Sequence, residues 1–329
     1  MNISAVCNFL EQEVGGRLKS LKEAIYNLPV TIFNKLYPSE PTLFVHGEDK
    51  SQKLNMDKHF SKSYVINLAS ASQKIEVIQE HLEEIGTKNW ERFDAVNGYR
   101  LADDHIIEGT NVTFKEFYSR MPGKSEKHKR ARAGCYLSHL FAVKKAKAEG
   151  LESIHIQEDD AVYPQNKQTV ESFENMMKEV PENWDMLFLG FEHDIKPRQI
   201  SKHVDETTSG NCMHSYVVRK RCFDRLIADL QRPITDKSDE VLPVDEVISE
   251  HLERRNYRAY SPHELIGFQR DGLKSDITGN VNADYSLFRK YVQRTYSRVL
   301  APILTPIGLP KYQIYKTAAK VGRFFNLSY

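Results

Sequence analysis

Three consecutive carboxylates, Glu158, Asp159 and Asp160, are the residues whose types and spacing most clearly indicate chemistry. Their charges repel one another in a compact site, so water or a cation must neutralise them. Carboxylate oxygens are the hard ligands that Mg²⁺ and Mn²⁺ prefer. The triplet therefore predicts either a divalent-metal site or a solvated acidic turn, the usual setting of a charge run on a surface.

The triplet follows a predicted buried strand. Ile154 and Ile156 alternate with polar neighbours, and Gly150 ends the element before them. Ligands bind at the carboxyl ends of strands in open α/β sheets. This position favours the metal interpretation.

The elements needed to position such a site begin with residues 64–68, a β-branched run that predicts a buried first strand. A helix over about residues 72–85 and a second strand over residues 90–98 follow. Strand, helix and strand of this length form a βαβ unit with parallel strands. The first loop lacks the glycine fingerprints of dinucleotide sites and of P-loops.

We expect residues 101–132 to be irregular. The basic residues in this segment indicate either a solvated loop or a mobile flap over an anionic substrate. A helix from about Ala133 to Gly150 then leads into the acidic strand and carries Ser138 and His139. Further predicted elements are strands over 184–190, 212–218 and 257–260, and helices over 170–180, 223–230 and from Pro243.

Length and composition bound the class of protein. At 329 residues the chain can bury a large core in one or two domains. A formal charge of +1 argues against nucleic-acid binding by the whole molecule. The four cysteines have neither paired zinc spacing nor disulfide density, which favours free thiols in a reducing cytosol. We expect Cys135 to pack in the core.

We expect three regions: a helical N-terminal extension over 1–60, an α/β domain over 61–280 and a basic amphipathic segment over 281–329. The extension is either a partner-binding module or a cap on the domain. Residues 285–329 contain no Asp or Glu and suit an anionic membrane surface. A packed helical hairpin and nucleic-acid binding are the alternatives, but no nucleic-acid-binding module is recognised.

Secretion and membrane-spanning signals are not predicted. Glu11 and Glu13 interrupt the first apolar stretch. No apolar run reaches the roughly 18–20 residues that cross a bilayer. We therefore expect a cytoplasmic protein, either soluble or peripheral on the inner face of the cytoplasmic membrane.

An ordered set of motifs resembles glycosyltransferase family 25, which includes lipooligosaccharide galactosyltransferases and collagen galactosyltransferases. The motifs lie at residues 65–68, 93–98, 134–139, 158–160, 185–190, 244–245, 269 and 275–277. They occur in the family's order over about residues 63–278. The Gly-Cys-x-x-Ser-His helix running into Glu-Asp-Asp is their most specific part.

The resemblance implies a GT-A-like fold, in which one α/β domain with a mostly parallel sheet holds a nucleotide-sugar at its strand ends. It implies a UDP-sugar donor, with galactose as the family's sugar, and Mn²⁺ or Mg²⁺. Carried over, donor and nucleotide contacts would come from Asn67, Leu68, Lys74, Asn97, Gly98, Ser138, His139 and Asp159. Glu158 and Asp160 would bind the metal. Lys74 stands where the family usually has arginine, and Arg132 stands where an acid often precedes Gly-Cys.

The implied reaction is an inverting transfer of the sugar to a hydroxyl of a glycan or glycolipid, such as a lipooligosaccharide or lipopolysaccharide core. Inversion needs a base, for which Asp245 is the candidate and Glu246 the alternative. Both also lie in the first turn of a predicted helix, where carboxylates favour the helix dipole. Two other functions use the same residues: a metal-dependent phosphoryl or nucleotidyl transferase, and a catalytically silent UDP-sugar-binding or membrane-binding protein.

Overall fold

Strands and helices alternate through residues 53–193, 197–236 and 240–270, which a computed structural model of the chain describes. The helices are α1 Ser72–Glu84, α2 Phe114–Ser119, α3 Glu126–Ala148, α4 Lys167–Glu179, α5 Phe223–Thr235 and α6 Val244–Glu253. The strands are β1 Lys62–Asn67, β2 Trp90–Asp94, β3 Ser153–Glu158, β4 Ala161–Val162, β5 Met186–Glu192, β6 Arg198–Gln199, β7 Val204–Glu206, β8 Asn211–Arg219, β9 Ala259–Pro262 and β10 Phe268–Gln269.

The central sheet has eight strands in the order β2-β1-β3-β8-β5-β9-β7-β6. Strand β1 is parallel to β2 and β3, and β9 is parallel to β5. Strand β8 is antiparallel to both of its neighbours, so β3 and β5 point the same way. Within the described chain only β8 and β7 oppose the other strands of this sheet. The predicted α/β class with a mostly parallel sheet is therefore confirmed.

Strand β1 sends its side chains alternately into two apolar layers, one on each side of the sheet. Tyr64 and Ile66 belong to the layer that also contains residues of α2, α3, α5 and α6, whereas Val65 belongs to the layer that contains residues of α1 and α4. Met56 and Phe60, which precede β1, are buried in the second layer. The predictions for residues 1–52 and 271–329, including the basic amphipathic segment, fall outside the described residues.

The prediction of an irregular segment over residues 101–132 is confirmed up to residue 113 and wrong for most of the rest, because caps start two helices there. Helix α2 begins with a capping box between Thr113 and Glu116, and the Ser125 side chain caps α3. The basic residues from position 127 onward therefore lie on α3, which argues against the flap. Arg130 is fixed in particular, since its guanidinium donates to the Gly98 carbonyl at 3.0 Å.

Strands β4 and β10 form a separate antiparallel pair. Gln269 pairs with Ala161, the residue that follows the acidic triplet. The end of the described chain is thereby brought beside the carboxyl end of β3.

Candidate functional site

The carboxyl ends of β1, β2 and β3 meet at one edge of the sheet. In the strand register Asn67 lies beside Asp94, and Ile66 lies beside Glu158. The segments that leave these strands surround a cavity of about 170 Å³. The predicted site residues that line it are Leu68, Lys74, Asn97, Gly98, Ser138, His139, Glu158, Asp159 and Asp160. Parallel pairing thus brings motifs from distant parts of the chain to one place.

Asp159 is held by two groups from the first strand and helix. The Asn67 amide donates to its carboxylate at 2.7 Å, and the Lys74 ammonium lies 3.4 Å from the other oxygen. The Arg92 guanidinium in turn donates to the Asn67 side-chain oxygen at 2.9 Å. Asn67 is buried and contacts Asp159 without lining the cavity itself, whereas Lys74 places a positive charge in the cavity wall.

Asp160 is buried to the same extent as Asp159, with 8% of its surface exposed. Burial, and after it the charges of Glu158 and Asp159, raise the pKa of the Asp160 carboxyl to about 8. The Gln269 amide lies 3.5 Å from its carboxylate. A divalent cation would favour ionised Asp160, and three adjacent carboxylates supply the oxygen donors that Mn²⁺ and Mg²⁺ prefer. These residues fit the metal that the sequence predicts.

Glu158 faces a histidine on α3. Its carboxylate lies 3.6 Å from His139 Nε2, and His139 Nδ1 lies 2.9 Å from the Tyr216 hydroxyl. Burial alone would raise the pKa of Glu158, but the hydrogen bond and charge of His139, followed by the charges of His214 and Lys74, lower it overall. Glu158 is therefore the more acidic end of the triplet, and Asp160 the less acidic end.

Helix α3 approaches the loop after β2 closely because two glycines face each other. A Cβ on Gly134 would lie 2.5 Å from the Val96 carbonyl oxygen, and one on Gly98 would lie 1.9 Å from the Arg130 carbonyl oxygen. The Ser138 hydroxyl accepts from the Val96 N–H at 2.8 Å and donates to the Gly134 carbonyl at 2.7 Å. This contact fixes the loop that carries Asn97 into the cavity wall.

Cys135 packs against the core as predicted, but it is only partly buried and also lines the cavity. Its Sγ lies with His139 Nε2 or Nδ1 and a Glu158 oxygen in a cluster whose atoms are all within 4.8 Å of one another. Burial, and then the charges of Glu158 and Asp245, raise the pKa of the thiol. The spacing of four residues between Cys135 and His139 was the available sequence signal, since it places both on one helix face.

Asp245 and Glu246 are not among the described residues that line the cavity. Asp245 is half-buried in the first turn of α6 and accepts from the Cys212 N–H at 2.9 Å. Its charge reaches Cys135 in the cavity wall. Glu246 is exposed, and its own N–H donates to Asp245 at 3.1 Å.

Tyr99 and Gln269 also line the cavity, and sequence reasoning gave neither a site role. Tyr99 follows the predicted Asn-Gly turn directly, and 40% of its surface is exposed. The available sequence signal for Tyr99 was its position directly after Gly98, a predicted nucleotide contact. Gln269 stood in a family motif, but only the pairing of β10 with β4 explains its place in the wall.

The α/β architecture, with an acidic cavity at the carboxyl ends of parallel strands, is that of a GT-A-like domain. Residues 60–248 match the family described as glycosyltransferase family 25 (LPS biosynthesis protein), and the chain belongs to this family. The recognition made from the ordered motifs is therefore confirmed.

A mouse protein named inactive glycosyltransferase 25 family member 3 is 24% identical over 268 residues, which is 79% of this chain and 44% of the mouse protein. The chain thus spans less than half the length of that curated relative.

Two solved structures show a distant likeness. The mannosyltransferase PcManGT from Pyrobaculum calidifontis, in complex with GDP-Man and Mn²⁺, has 9% identity and a TM-score of 0.35, with 97% of this chain and 85% of that chain covered. The mannose-1-phosphate geranyltransferase from Thermus thermophilus has 10% identity and a TM-score of 0.32, with 61% of this chain and 73% of that chain covered. At these TM-scores the likeness carries no functional argument.

No helix in the described part of the chain is both long and apolar enough to span a bilayer.

Proposed function

We propose that the chain is an inverting, metal-dependent glycosyltransferase that moves a sugar from a UDP-sugar to a hydroxyl of a glycan acceptor. The observation that carries this proposal is the acidic triplet 158–160 in one cavity with Asn97, Gly98 and Lys74. A nucleoside diphosphate needs positive charge beside it, and Lys74 supplies that charge in this cavity wall. Galactose as the transferred sugar rests on the family resemblance.

In this proposal Glu158 and Asp160 hold Mn²⁺ or Mg²⁺. The bound ion would offset the charge on the departing diphosphate as a Lewis acid. Asp159 is kept in place by Asn67 and Lys74. Lys74 also supplies fixed positive charge on the diphosphate side, as a point charge rather than the planar fork of an arginine.

Leu68, Asn97 and Gly98 form the wall against which we place the nucleotide, next to Ser138 and His139. The acceptor hydroxyl must lose a proton as it attacks the donor. We assign the role of the base that takes this proton to Asp245. Its carboxylate is half-buried, and its charge acts on the Cys135 thiol in the cavity wall. Glu246 is the alternative base.

The family description supports a lipopolysaccharide-type acceptor. Attachment to an anionic membrane through residues 285–329, on the inner face of the cytoplasmic membrane, remains a prediction about a segment outside the described residues. An anionic, lipid-linked acceptor would lie in the same membrane and would be attracted by the basic residues of this segment.

A catalytically silent UDP-sugar-binding protein is the second candidate. The mouse relative is named inactive, and Asp159 already forms an ion pair with Lys74. This candidate predicts nucleotide binding without sugar transfer or hydrolysis.

The test is a thermal-shift panel of UDP, UDP-galactose, UDP-glucose, UDP-N-acetylglucosamine and ATP, each with and without Mn²⁺. We expect a shift that needs both a UDP-sugar and Mn²⁺, since a ligand at 100 times its dissociation constant adds about 2.7 kcal/mol of stability. Asp160→Asn should lose the shift. The exposed acid Asp104 provides the matched control, and Asp104→Asn should keep it.

Each of the other outcomes would indicate a different function for this protein. A shift with ATP alone would indicate a phosphoryl or nucleotidyl transferase. A UDP-sugar shift without release of UDP in any acceptor assay would indicate the silent binder. No shift with any nucleotide would leave the triplet as an acidic turn.

A further inference from the structure

We propose that Cys135, His139 and Glu158 form a second cation site, selective for Zn²⁺ over Mg²⁺ and Mn²⁺. Among the described residues, these three side chains form a cluster of thiol, imidazole and carboxylate ligand atoms within 4.8 Å of one another. The site shares Glu158 with the proposed Mn²⁺ site but adds sulfur and nitrogen donors. Binding of Zn²⁺ itself does not depend on the proposed transferase function.

The distances suit a tetrahedral ion. Zinc bonds of about 2.0 Å to nitrogen and oxygen and 2.3 Å to sulfur place neighbouring ligand atoms about 3.3–3.6 Å apart. His139 Nε2 and Glu158 already lie 3.6 Å apart. All three ligand atoms lie within 4.8 Å of one another, so an approach of Cys135 Sγ by roughly 1–1.5 Å would complete three bonds.

Two rigid elements carry the ligands. Cys135 and His139 are four residues apart on α3, so both project from one face of a helix that runs from Glu126 to Ala148. Glu158 is the last residue of β3, an inner strand of the sheet. Ligands on a helix and a strand are held more precisely than ligands on loops.

Tyr216 orients the histidine from behind. Its hydroxyl lies 2.9 Å from His139 Nδ1, and its ring stacks on the imidazole with centroids 5.7 Å apart. Tyr216 is completely buried on β8 and therefore fixed. Without an ion Nε2 carries the proton that faces Glu158, whereas in the metal-bound form Nδ1 would donate its proton to the tyrosine oxygen and the Nε2 lone pair would face the ion.

The donor set distinguishes this site from the hard-cation site. Thiolate and imidazole favour Zn²⁺ or Co²⁺, whereas an all-oxygen set favours Mg²⁺ or Mn²⁺. Thiolate and carboxylate together balance the two positive charges, and the thiol proton is released to solvent on binding. Three protein ligands leave a fourth position open toward the cavity, for water or a phosphate oxygen. If the proposed function holds, Zn²⁺ would inhibit Mn²⁺-dependent transfer by withdrawing Glu158.

The experiment is a Co²⁺ titration of the full-length, metal-stripped protein, followed by absorption. Co²⁺ bound by a thiolate gives an intense near-ultraviolet charge-transfer band, and Zn²⁺ should displace it stoichiometrically. Cys135→Ser should abolish the band. Cys222→Ser, which changes a buried thiol elsewhere, should keep it. Tyr216→Phe should keep the band but weaken metal affinity about 10–100-fold, the usual effect of losing a group that orients a ligand.

The proposal is overturned if wild-type protein shows no band, or if the band survives in Cys135→Ser. Circular dichroism and the melting temperature establish that each variant is folded. Should Cys135→Ser fail to fold, maleimide labelling of the wild type replaces it: Zn²⁺ should protect Cys135, and unchanged labelling would refute the site. None of these measurements uses a nucleotide or an acceptor, so their failure is distinguishable from failure of the proposed transferase.

Discussion

At the scale of single residues, the three acids of the triplet differ in how the fold compensates their charges. Asp159 contacts the Lys74 ammonium and the Asn67 amide, and Glu158 faces the His139 imidazole. Asp160 lies near the Gln269 amide, and the pKa of its carboxyl is raised. A bound cation would therefore act most strongly on Asp160. This asymmetry makes Asp160 the most informative of the three positions for mutagenesis.

Asp245→Asn tests the assignment of the base. Asparagine keeps an oxygen that can accept from the Cys212 N–H, so the contact at 2.9 Å is preserved. We expect kcat to fall by about 10²–10⁴-fold, the usual loss when a base is removed. The measurement is steady-state transfer with a UDP-sugar donor. Glu246→Gln, at the neighbouring exposed position, should alter kcat much less.

Near-normal turnover in Asp245→Asn would leave that carboxylate a purely structural role. Cys212 has a φ of 54°, a conformation that non-glycine residues rarely adopt. Holding the N–H of such a residue is a sufficient structural reason for the aspartate. A loss of kcat in Glu246→Gln alone would move the base by one position.

His155 should make stability sensitive to acid. It is completely buried between the Ser63 and Ser215 hydroxyls, 3.0 Å from each, and burial lowers its pKa to about 3. Below pH 6.5 the unfolded chain takes up a proton at this histidine while the folded protein does not. Its contribution to stability is therefore present above pH 6.5 and is lost as pH falls toward 3, by roughly 1.4 kcal/mol at pH 5.5.

Urea unfolding at pH 7.5 and 5.5 measures this effect. The difference in unfolding free energy between the two pH values should be smaller in His155→Gln than in wild type by about 1.4 kcal/mol. His105→Gln, at an exposed position, controls for the substitution itself. Equal pH dependence in His155→Gln and wild type would contradict the prediction.

At the scale of elements, α3 organises the site. One helix places Gly134 against the loop after β2, Cys135 and His139 in the cavity wall, and Ser138 on the Val96 N–H. The position of the whole helix therefore determines the shape of the cavity. Small changes where α3 touches the loop should affect binding as well as stability.

Gly134→Ala tests this contact. Alanine is the better helix former by about 1 kcal/mol. Its methyl group would nevertheless lie 2.5 Å from the Val96 backbone oxygen, which no side-chain rotation relieves. We expect a net destabilisation of about 1–3 kcal/mol, measured by urea unfolding, and weaker nucleotide binding.

Gly150→Ala is the control for that substitution. A Cβ there meets nothing within 4 Å, but the φ of 69° imposes strain. It should cost on the order of 1 kcal/mol and leave ligand affinity unchanged. If Gly134→Ala binds nucleotide as wild type does, the helix-to-loop contact does not set the cavity.

The elements that hydrophobic periodicity specifies could be predicted from the sequence. Strands β1 and β3 and the apolar part of α3 were found this way, and parallel pairing then brought their ends together. Helix α2 and the start of α3 were missed because basic residues were given more weight than the caps at Thr113 and Ser125. The Thr-x-x-Glu signature of a capping box was present in the sequence.

Partners from distant segments could not be predicted in the same way. Strand β8 lies antiparallel between β3 and β5, and only this placement puts Tyr216 behind His139. Alternation of apolar residues shows which face of a strand is buried, but not which strand lies next to it. The Asp245 carboxylate was likewise expected at a helix start, whereas its contact with Cys212 depends on tertiary packing.

At the scale of the whole molecule, both apolar layers can be traced through the described residues. Their buried residues extend from Leu54 to Ile266, and Met56 is completely buried although it precedes β1. We therefore propose that the domain predicted over 61–280 also requires the residues from 53 onward.

A chain of residues 53–280 should fold alone. We expect one cooperative thermal transition and near-ultraviolet circular dichroism typical of packed aromatic residues. A chain of residues 61–280, which lacks Leu54, Met56 and Phe60, should be less stable by several kcal/mol, because loss of each large apolar side chain costs about 2–5 kcal/mol. Equal stability of the two fragments would contradict this role for residues 53–60.

The pairing of β10 with β4 has a consequence for the order of events during protein synthesis. Gln269 lies in the wall of the cavity but is 109 residues later in the chain than Asp160, its partner there. During synthesis the acidic triplet therefore leaves the ribosome well before Gln269, which forms part of the cavity wall. Completion of the pocket must await release of this late segment from the ribosome, so the enclosed site is among the last parts of the domain to mature.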